Sequence, residues 1–269
     1  AIGQAVLFIG IGAVVAYISD QNLRFQARIN QENERRRGVI TTVAHELRTP
    51  LQPLMGYLNL LLQDPDDFGI RKETAVILNR CLASVDRERQ IINQMLEYSV
   101  LDSGKLHLEY SVFSARDIIV SLISEGGYGE KAEIINDVPA EVTFAADAGR
   151  VSLVIDSMLS NAIAFSRPPR RIRVAYVSLP GDTYHRLAIT DNGIGISEIH
   201  FESIFEPFQL ADANRLSRKF ERIGLSLPIA KKYIEMHGGY ISVQSRVNEG
   251  STFTINIPKH ATYRTGGLL

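Results

Sequence analysis

Between Val39 and Leu61 the apolar residues Val39, Val43, Leu47, Leu51, Leu54, Leu58 and Leu61 recur in steps of four and three, the spacing of one helical face. A second run from about Ile70 to Leu101 places apolar or small residues at Ile77, Cys81, Val85, Ile91, Ile92 and Met95, and Asp64, Pro65, Asp66 and Asp67 make a polar turn between the two. Two amphipathic helices joined this closely pack antiparallel. One hairpin cannot enclose both of its own stripes, so dimerisation into a four-helix bundle is the expected solution. Cys81 is the chain's one cysteine, which excludes an intramolecular disulfide and a cysteine-rich zinc site. It is expected as a small core residue.

The whole chain has 269 residues, which leaves room for a second domain of a different kind. Hydrophobic residues make up 45% and charged residues 22%, which excludes a disordered or fibrous chain. Thirty acids against 29 bases leave a net charge of −1, so nothing pulls the molecule toward nucleic acid. Ala1 to Ser19 carries no charge and is apolar on every helical face, which reads as a membrane span or the end of one, with a buried core helix as the alternative. Arg24, Arg28, Arg35, Arg36 and Arg37 follow, placing everything after about residue 20 in the cytoplasm beneath a cell membrane.

At about 100° per residue, His45 lies on nearly the opposite side of the first helix from Val43, and so toward solvent. Pro50 removes a backbone hydrogen bond one turn later and is expected to kink the helix there. The run His45, Glu46, Leu47, Arg48, Thr49, Pro50 resembles the H-box of sensor histidine kinases. The resemblance implies that His45 accepts a phosphoryl group, and an exposed imidazole is a neutral nucleophile near pH 7. Glu46 can hold the other ring nitrogen and fix the tautomer. Thr49, one turn on, is implied by the family pattern to orient water for dephosphorylation of the partner.

After Asp102, Ser103 and Gly104 the periodicity shortens. Arg171 to Ser178 and Tyr184 to Thr190 flank a Pro180-Gly181-Asp182 turn, and Tyr240 to Val247 and Ser251 to Ile257 flank Asn248-Glu249-Gly250, two strand hairpins. Helices are expected from about Ala148 to Phe165, capped by Asp147, and from about Leu225 to Met236, ending at Gly238-Gly239. Together these give an α/β sandwich. Asp191-Asn192-Gly193-Ile194-Gly195 follows a strand directly, and its glycines allow a close backbone approach to a ligand.

The order Asn161, Asp191 to Gly195, Phe205 to Phe208, then Gly224 and Leu225 is similar to the N, G1, F and G2 boxes of the ATP-binding domain shared by histidine kinases and gyrase-type ATPases, a Bergerat-type sandwich. The likeness implies that Asn161 ligates a magnesium ion bridging the phosphates and that Asp191 recognises the adenine amine. Gly193 and Gly195 shape the pocket, and Phe208, Arg218, Lys219, Arg222, Gly224 and Leu225 line or close it. Ser157 stands where the family has its first N-box asparagine, and Ala164 where a phosphate-binding lysine is frequent. Arg222 and Ser226 replace two glycines of the G2 pattern, with Pro228 in the first turn of the helix that follows.

The fold class expected is α + α/β: an antiparallel hairpin forming a four-helix bundle in the homodimer, then the sandwich. The segments are a membrane helix at 1–19, a linker helix at 20–38, a dimerisation and phosphotransfer domain at 39–101, a hinge at 102–110, a catalytic domain at 111–258 and a disordered tail at 259–269. The resemblance implies a protein-histidine kinase that uses ATP and Mg2+ and passes the phosphoryl group to a response-regulator aspartate, with phosphatase activity on that regulator. The alternatives are a phosphatase-biased pseudokinase or scaffold with an altered pocket, and an ATPase without phosphotransfer.

Overall fold

The computed structural model describes residues 21, 38, 42–44, 46–104, 106–179, 181–209 and 223–259. His45, the uncharged stretch 1–19, Arg218, Lys219, Arg222 and the tail from His260 onward lie outside the described residues. The chain divides into two compact units, Ala1–Ser99 and Val100–Leu269.

In the first unit, helix α1 is described at 42–44 and 46–63, and α2, Lys72–Asp102, runs through it to end in the first residues of the second unit. The turn between them is closed by Gly69 N–H donating to Asp66 O (3.0 Å) and Ile70 N–H to Pro65 O (2.8 Å). Helix α1 continues through Pro50. Arg48 Nη2 donates to Asn93 Oδ1 at 2.7 Å, linking the two helices. Ala44, Leu58, Val85 and Ile92 are buried and form the core of the hairpin.

Only part of the predicted stripe is buried within one chain. Leu58 is 7% exposed, whereas Val43, Leu47 and Leu54 are 49%, 48% and 44% exposed. Ile77 is also exposed, and so is Cys81, correcting its expected place in the core. The reason is geometric, since two helices touch along one seam and an apolar stripe wider than that seam keeps its outer edge in water.

The second unit has the order β1 (Tyr110–Ser114), α3 (Ala115–Glu125), β2 (Glu133–Asp137), β3 (Thr143–Asp147), α4 (Ala148–Phe165), β4 (Arg171–Val177), β5 (Tyr184–Asp191), two short 3-10 turns at Glu198–His200 and Ser203–Phe205, α5 (Ser226–Met236), β6 (Tyr240–Arg246) and β7 (Gly250–Pro258). A five-stranded sheet runs β2-β4-β5-β7-β6, with β2 parallel to β4 and every other pair antiparallel. Strands β1 and β3 make a separate antiparallel pair. Both hairpins read from the sequence are present. The elements between 110 and 147 were not anticipated, because their strands are five residues long and two of them show no clean apolar alternation.

Alternation in the sheet sends Ile172, Val174, Leu187, Ile189, Phe253 and Ile255 to one face, where they are buried against α4 and α5. Asp147 caps α4 as expected, its Oδ1 accepting Arg150 N–H at 3.0 Å, a contact worth about 1 kcal/mol. Its Oδ2 accepts Glu109 N–H at 2.9 Å, and Asp102 pairs with Lys232 at 3.0 Å, so both ends of the 102–110 segment are bonded within this unit.

Candidate functional site

On α1 the flanks of His45 are described. Ala44 is buried, while Glu46 and Thr49 are exposed, so the face that carries them is accessible. Pro50 has no N–H to return to the carbonyl of Glu46, which frees an acceptor one turn beyond the histidine position.

In the second unit, the site is built where β5 ends. Asp191 stands opposite Ser251 on β7 and Ile172 on β4, a central position that leaves it 7% exposed. Its Oδ1 accepts Gly193 N–H at 2.7 Å and Ser251 N–H at 3.3 Å. Burial pushes its carboxyl up to about 6, against the pull of these two backbone donors. A buried carboxylate with one oxygen occupied by backbone is suited to receive a ligand donor, such as an exocyclic amine, on the other.

Gly193 and Gly195 are required by space. A Cβ on Gly193 would stand 2.5 Å from both Asp191 Oδ1 and Phe165 O, and one on Gly195, at φ +69°, would collide with Arg246 O. Ile194 N–H donates to Phe165 O at 3.2 Å, and Asn248 N–H to Ile194 O at 2.7 Å, which ties this turn to the end of α4 and to the β6–β7 turn. Asn192 faces the other way, its side chain donating to Pro169 O (2.7 Å) and accepting Arg171 N–H (3.0 Å). Asn161 lies on α4, buried, four residues before the Phe165 carbonyl that touches this turn.

Phe208 is exposed, at φ 63°, and its N–H donates to Gly224 O at 3.1 Å, so the F and G2 segments meet. Leu225 is fully buried, and its carbonyl accepts Ile229 N–H at 3.0 Å to start α5. No side chain caps this helix. The positive end of its dipole suits an anion. Asn161, Asp191, Gly193, Gly195, Phe208, Gly224 and Leu225 therefore fall within one unit, as the sequence motifs require.

Two departures from the family pattern meet one another. Ser157 Oγ donates to Ser226 O at 3.4 Å, so the short side chain on α4 holds the first turn of α5. Ala164 offers no such replacement. Ala164→Lys is expected to tighten ATP binding by about tenfold in calorimetry, the worth of one charge-assisted contact. No change, together with a large loss in Arg222→Ala, would show that the segment around 222 already supplies that charge.

Sequence reasoning missed Ser251, whose N–H reaches Asp191, and Ser245, whose Oγ accepts Ile196 N–H at 2.8 Å and bonds Ser251 Oγ at 2.9 Å. The β5–β7 register sets Ser251 across from Asp191, and no motif in the chain announces that pairing.

Residues 35–104 match the family model of the His Kinase A (phospho-acceptor) domain, and residues 146–261 match that of the histidine kinase-, DNA gyrase B- and HSP90-like ATPases. The chain belongs to the histidine kinases. The autoinducer 2 sensor kinase/phosphatase LuxQ of Vibrio vulnificus is 32% identical over 239 residues, covering 85% of this chain and 27% of LuxQ. Histidine kinase 5 of Arabidopsis thaliana is 29% identical over 268 residues, 89% of this chain and 28% of that protein. This kinase chain thus spans little more than a quarter of the length of these relatives. Full-length ShkA, solved with AMPPNP, superposes with a TM-score of 0.65 at 21% identity, covering 83% of this chain and 46% of ShkA. The Acinetobacter baumannii histidine kinase AdeS superposes with a TM-score of 0.57 at 21% identity, covering 80% of this chain and 98% of AdeS. Both structures show the shared fold.

Proposed function

We propose that this chain is the transmitter of a sensor histidine kinase, which moves the γ-phosphoryl group of ATP to His45 and from there to an aspartate of a response regulator. The observation that carries the reading is the buried Asp191 site with its glycine walls, in a chain that also presents Glu46 and Thr49 on the exposed face of α1. In the first step, a ring nitrogen of His45 attacks the γ-phosphorus. An N–P bond forms, the P–O bond to ADP breaks, and ADP leaves with the electron pair. Glu46 accepts the proton-bearing nitrogen's hydrogen bond and raises the basicity of the attacking one.

Asn161, buried on α4, carries an amide oxygen, a hard donor of the kind magnesium takes. Among the described residues no group of three His, Cys, Asp or Glu side chains stands together, and magnesium bound beside phosphates needs few protein ligands because it keeps water and borrows phosphate oxygens. Asn161 would supply an amide oxygen, and the ion would neutralise charge on the phosphates.

Val43, Leu47, Leu54 and Ile77, exposed in one chain, support a homodimer in which a second hairpin completes the bundle. The uncharged stretch 1–19 and the arginines after it support attachment to a membrane with the kinase units in the cytoplasm. No helix among the described residues is long and apolar enough to cross a membrane. A second reading, a phosphatase-biased or scaffolding member, is favoured by Ser157 and Ala164, which remove two polar nucleotide contacts of the family pattern.

Incubation with γ-labelled ATP separates the readings. The kinase reading expects label that is stable to base and labile to acid, and absent from His45→Gln. Label in that variant, or none in the unsubstituted chain, refutes it. Thr49→Ala is expected to keep autophosphorylation within about twofold while slowing regulator dephosphorylation on the order of tenfold or more, because Thr49 positions water and takes no part in the attack by His45. Equal loss of both activities would remove that role.

A further inference from the structure

Asn192 follows Asp191 directly, and its side chain has no part in the nucleotide reading given above. Its amide is engaged by three partners in the connection between α4 and β4. Nδ2 donates to Pro169 O (2.7 Å) and to Arg167 O (3.3 Å), and Oδ1 accepts Arg171 N–H (3.0 Å). That connection is a firm anchor. Pro168 and Pro169 fix two of its φ angles, and Arg170 O accepts Glu133 N–H from β2 at 3.0 Å.

What the anchor holds is the next peptide group. The peptide between Asn192 and Gly193 carries the N–H that reaches Asp191 Oδ1 at 2.7 Å, the shorter of the two backbone contacts on that oxygen. Space requires glycine at 193, and glycine by itself constrains a peptide group least. The far end of the turn is held by main chain, with Ile194 N–H on Phe165 O at 3.2 Å. At the end next to Asp191 the hold comes from the Asn192 side chain. With that amide in place, Gly193 N–H occupies Oδ1 and leaves the other carboxylate oxygen for a ligand donor.

We propose that Asn192 is a positioning residue for nucleotide selection: by fixing the 192–193 peptide it sets the direction of the Asp191 carboxylate, and with it how well the site reads an exocyclic amine. This rests on the ATP reading above. The test is titration of the full chain, of Asn192→Ala and of Asn192→Asp with ATP and with purine riboside triphosphate, which has hydrogen in place of the amine, and a thermal melt of each variant. The unsubstituted chain is expected to prefer ATP by about tenfold or more, the worth of one hydrogen bond to a charged group. Asn192→Ala is expected to weaken ATP by about tenfold and the analogue by less than about twofold, so that the preference collapses. Asn192→Asp keeps the size and the acceptor for Arg171 N–H but sets an oxygen against Pro169 O, so it should lose the preference in the same way, and it carries the test if the alanine variant fails to fold. A side chain that only stabilised the turn would weaken both nucleotides alike. A preference for ATP that survives in either folded variant would overturn the inference. An unsubstituted chain that binds neither nucleotide, or both equally, would overturn the ATP reading and the inference with it.

Discussion

Asp191→Asn is expected to abolish nucleotide binding and, at the same time, to stabilise the nucleotide-free fold. Asparagine keeps an oxygen for the N–H groups of Gly193 and Ser251, so the turn retains its backbone contacts. It replaces the outward acceptor with a donor, which under the proposed ATP reading would face the adenine amine in a buried site. A mismatch of that kind costs on the order of a hundredfold or more in affinity. The stability gain has a different origin. With its carboxyl raised from 3.8 to about 6, Asp191 favours the folded state in its protonated form. That contribution is fully present below pH 3.8 and is lost as pH rises through about 6, leaving a buried charge that costs about 3 kcal/mol at most above it. Thermal melts at pH 4 should therefore show the variant and the unsubstituted protein nearly level, and melts at pH 7.5 should show the variant higher by several degrees. A variant less stable at pH 7.5, or one that still binds ATP within tenfold, would contradict the role given to this carboxylate.

His237→Ala should cost about 3 kcal/mol or more. His237, 4% exposed, joins two distant segments: Nε2 accepts Asp147 N–H at 3.0 Å, and Nδ1 donates to Tyr233 O at 2.7 Å. This pairing defines one neutral tautomer. Its removal leaves the buried Asp147 amide without this acceptor as well as a cavity, while the Tyr233 carbonyl keeps the backbone N–H of position 237. Burial lowers the pKa of this imidazole, outweighing the Tyr233 carbonyl and the Asp147 charge, which act the other way. A histidine shifted down contributes stability that is present above the unfolded value of about 6.5 and is lost as pH falls through the folded value. Below pH 6.5, His237 and Asp191 therefore oppose one another. Chemical denaturation of Asp191→Asn between pH 7.5 and 5 should show a steeper acid loss than the unsubstituted protein, and His237→Ala a shallower one. Parallel curves for all three would mean that neither group titrates as its surroundings require.

The apolar stripes of α1 and α2, the caps and turns of the hairpins, and the order of Asn161, Asp191, Gly193, Gly195, Phe208 and Gly224 were legible along the chain, because each is a local pattern whose meaning depends on neighbours within a few residues. The short strands at 110–114, 133–137 and 143–147 were not, since their pairing partners are remote and five residues carry little periodicity. Tertiary structure alone decided that Ser251 faces Asp191 across β5 and β7, that Ser157 reaches the start of α5, and that His237 bonds a residue 90 positions away. It also decided that Cys81 and much of the α1 stripe stay in water within one chain. Periodicity specifies which side of a helix is apolar, but whether that side is covered depends on how many elements meet there. The charge state of Asp191 follows from the same cause: a motif names the carboxylate, and only the packing of β4 and β7 around it takes away the water that would keep its pKa ordinary.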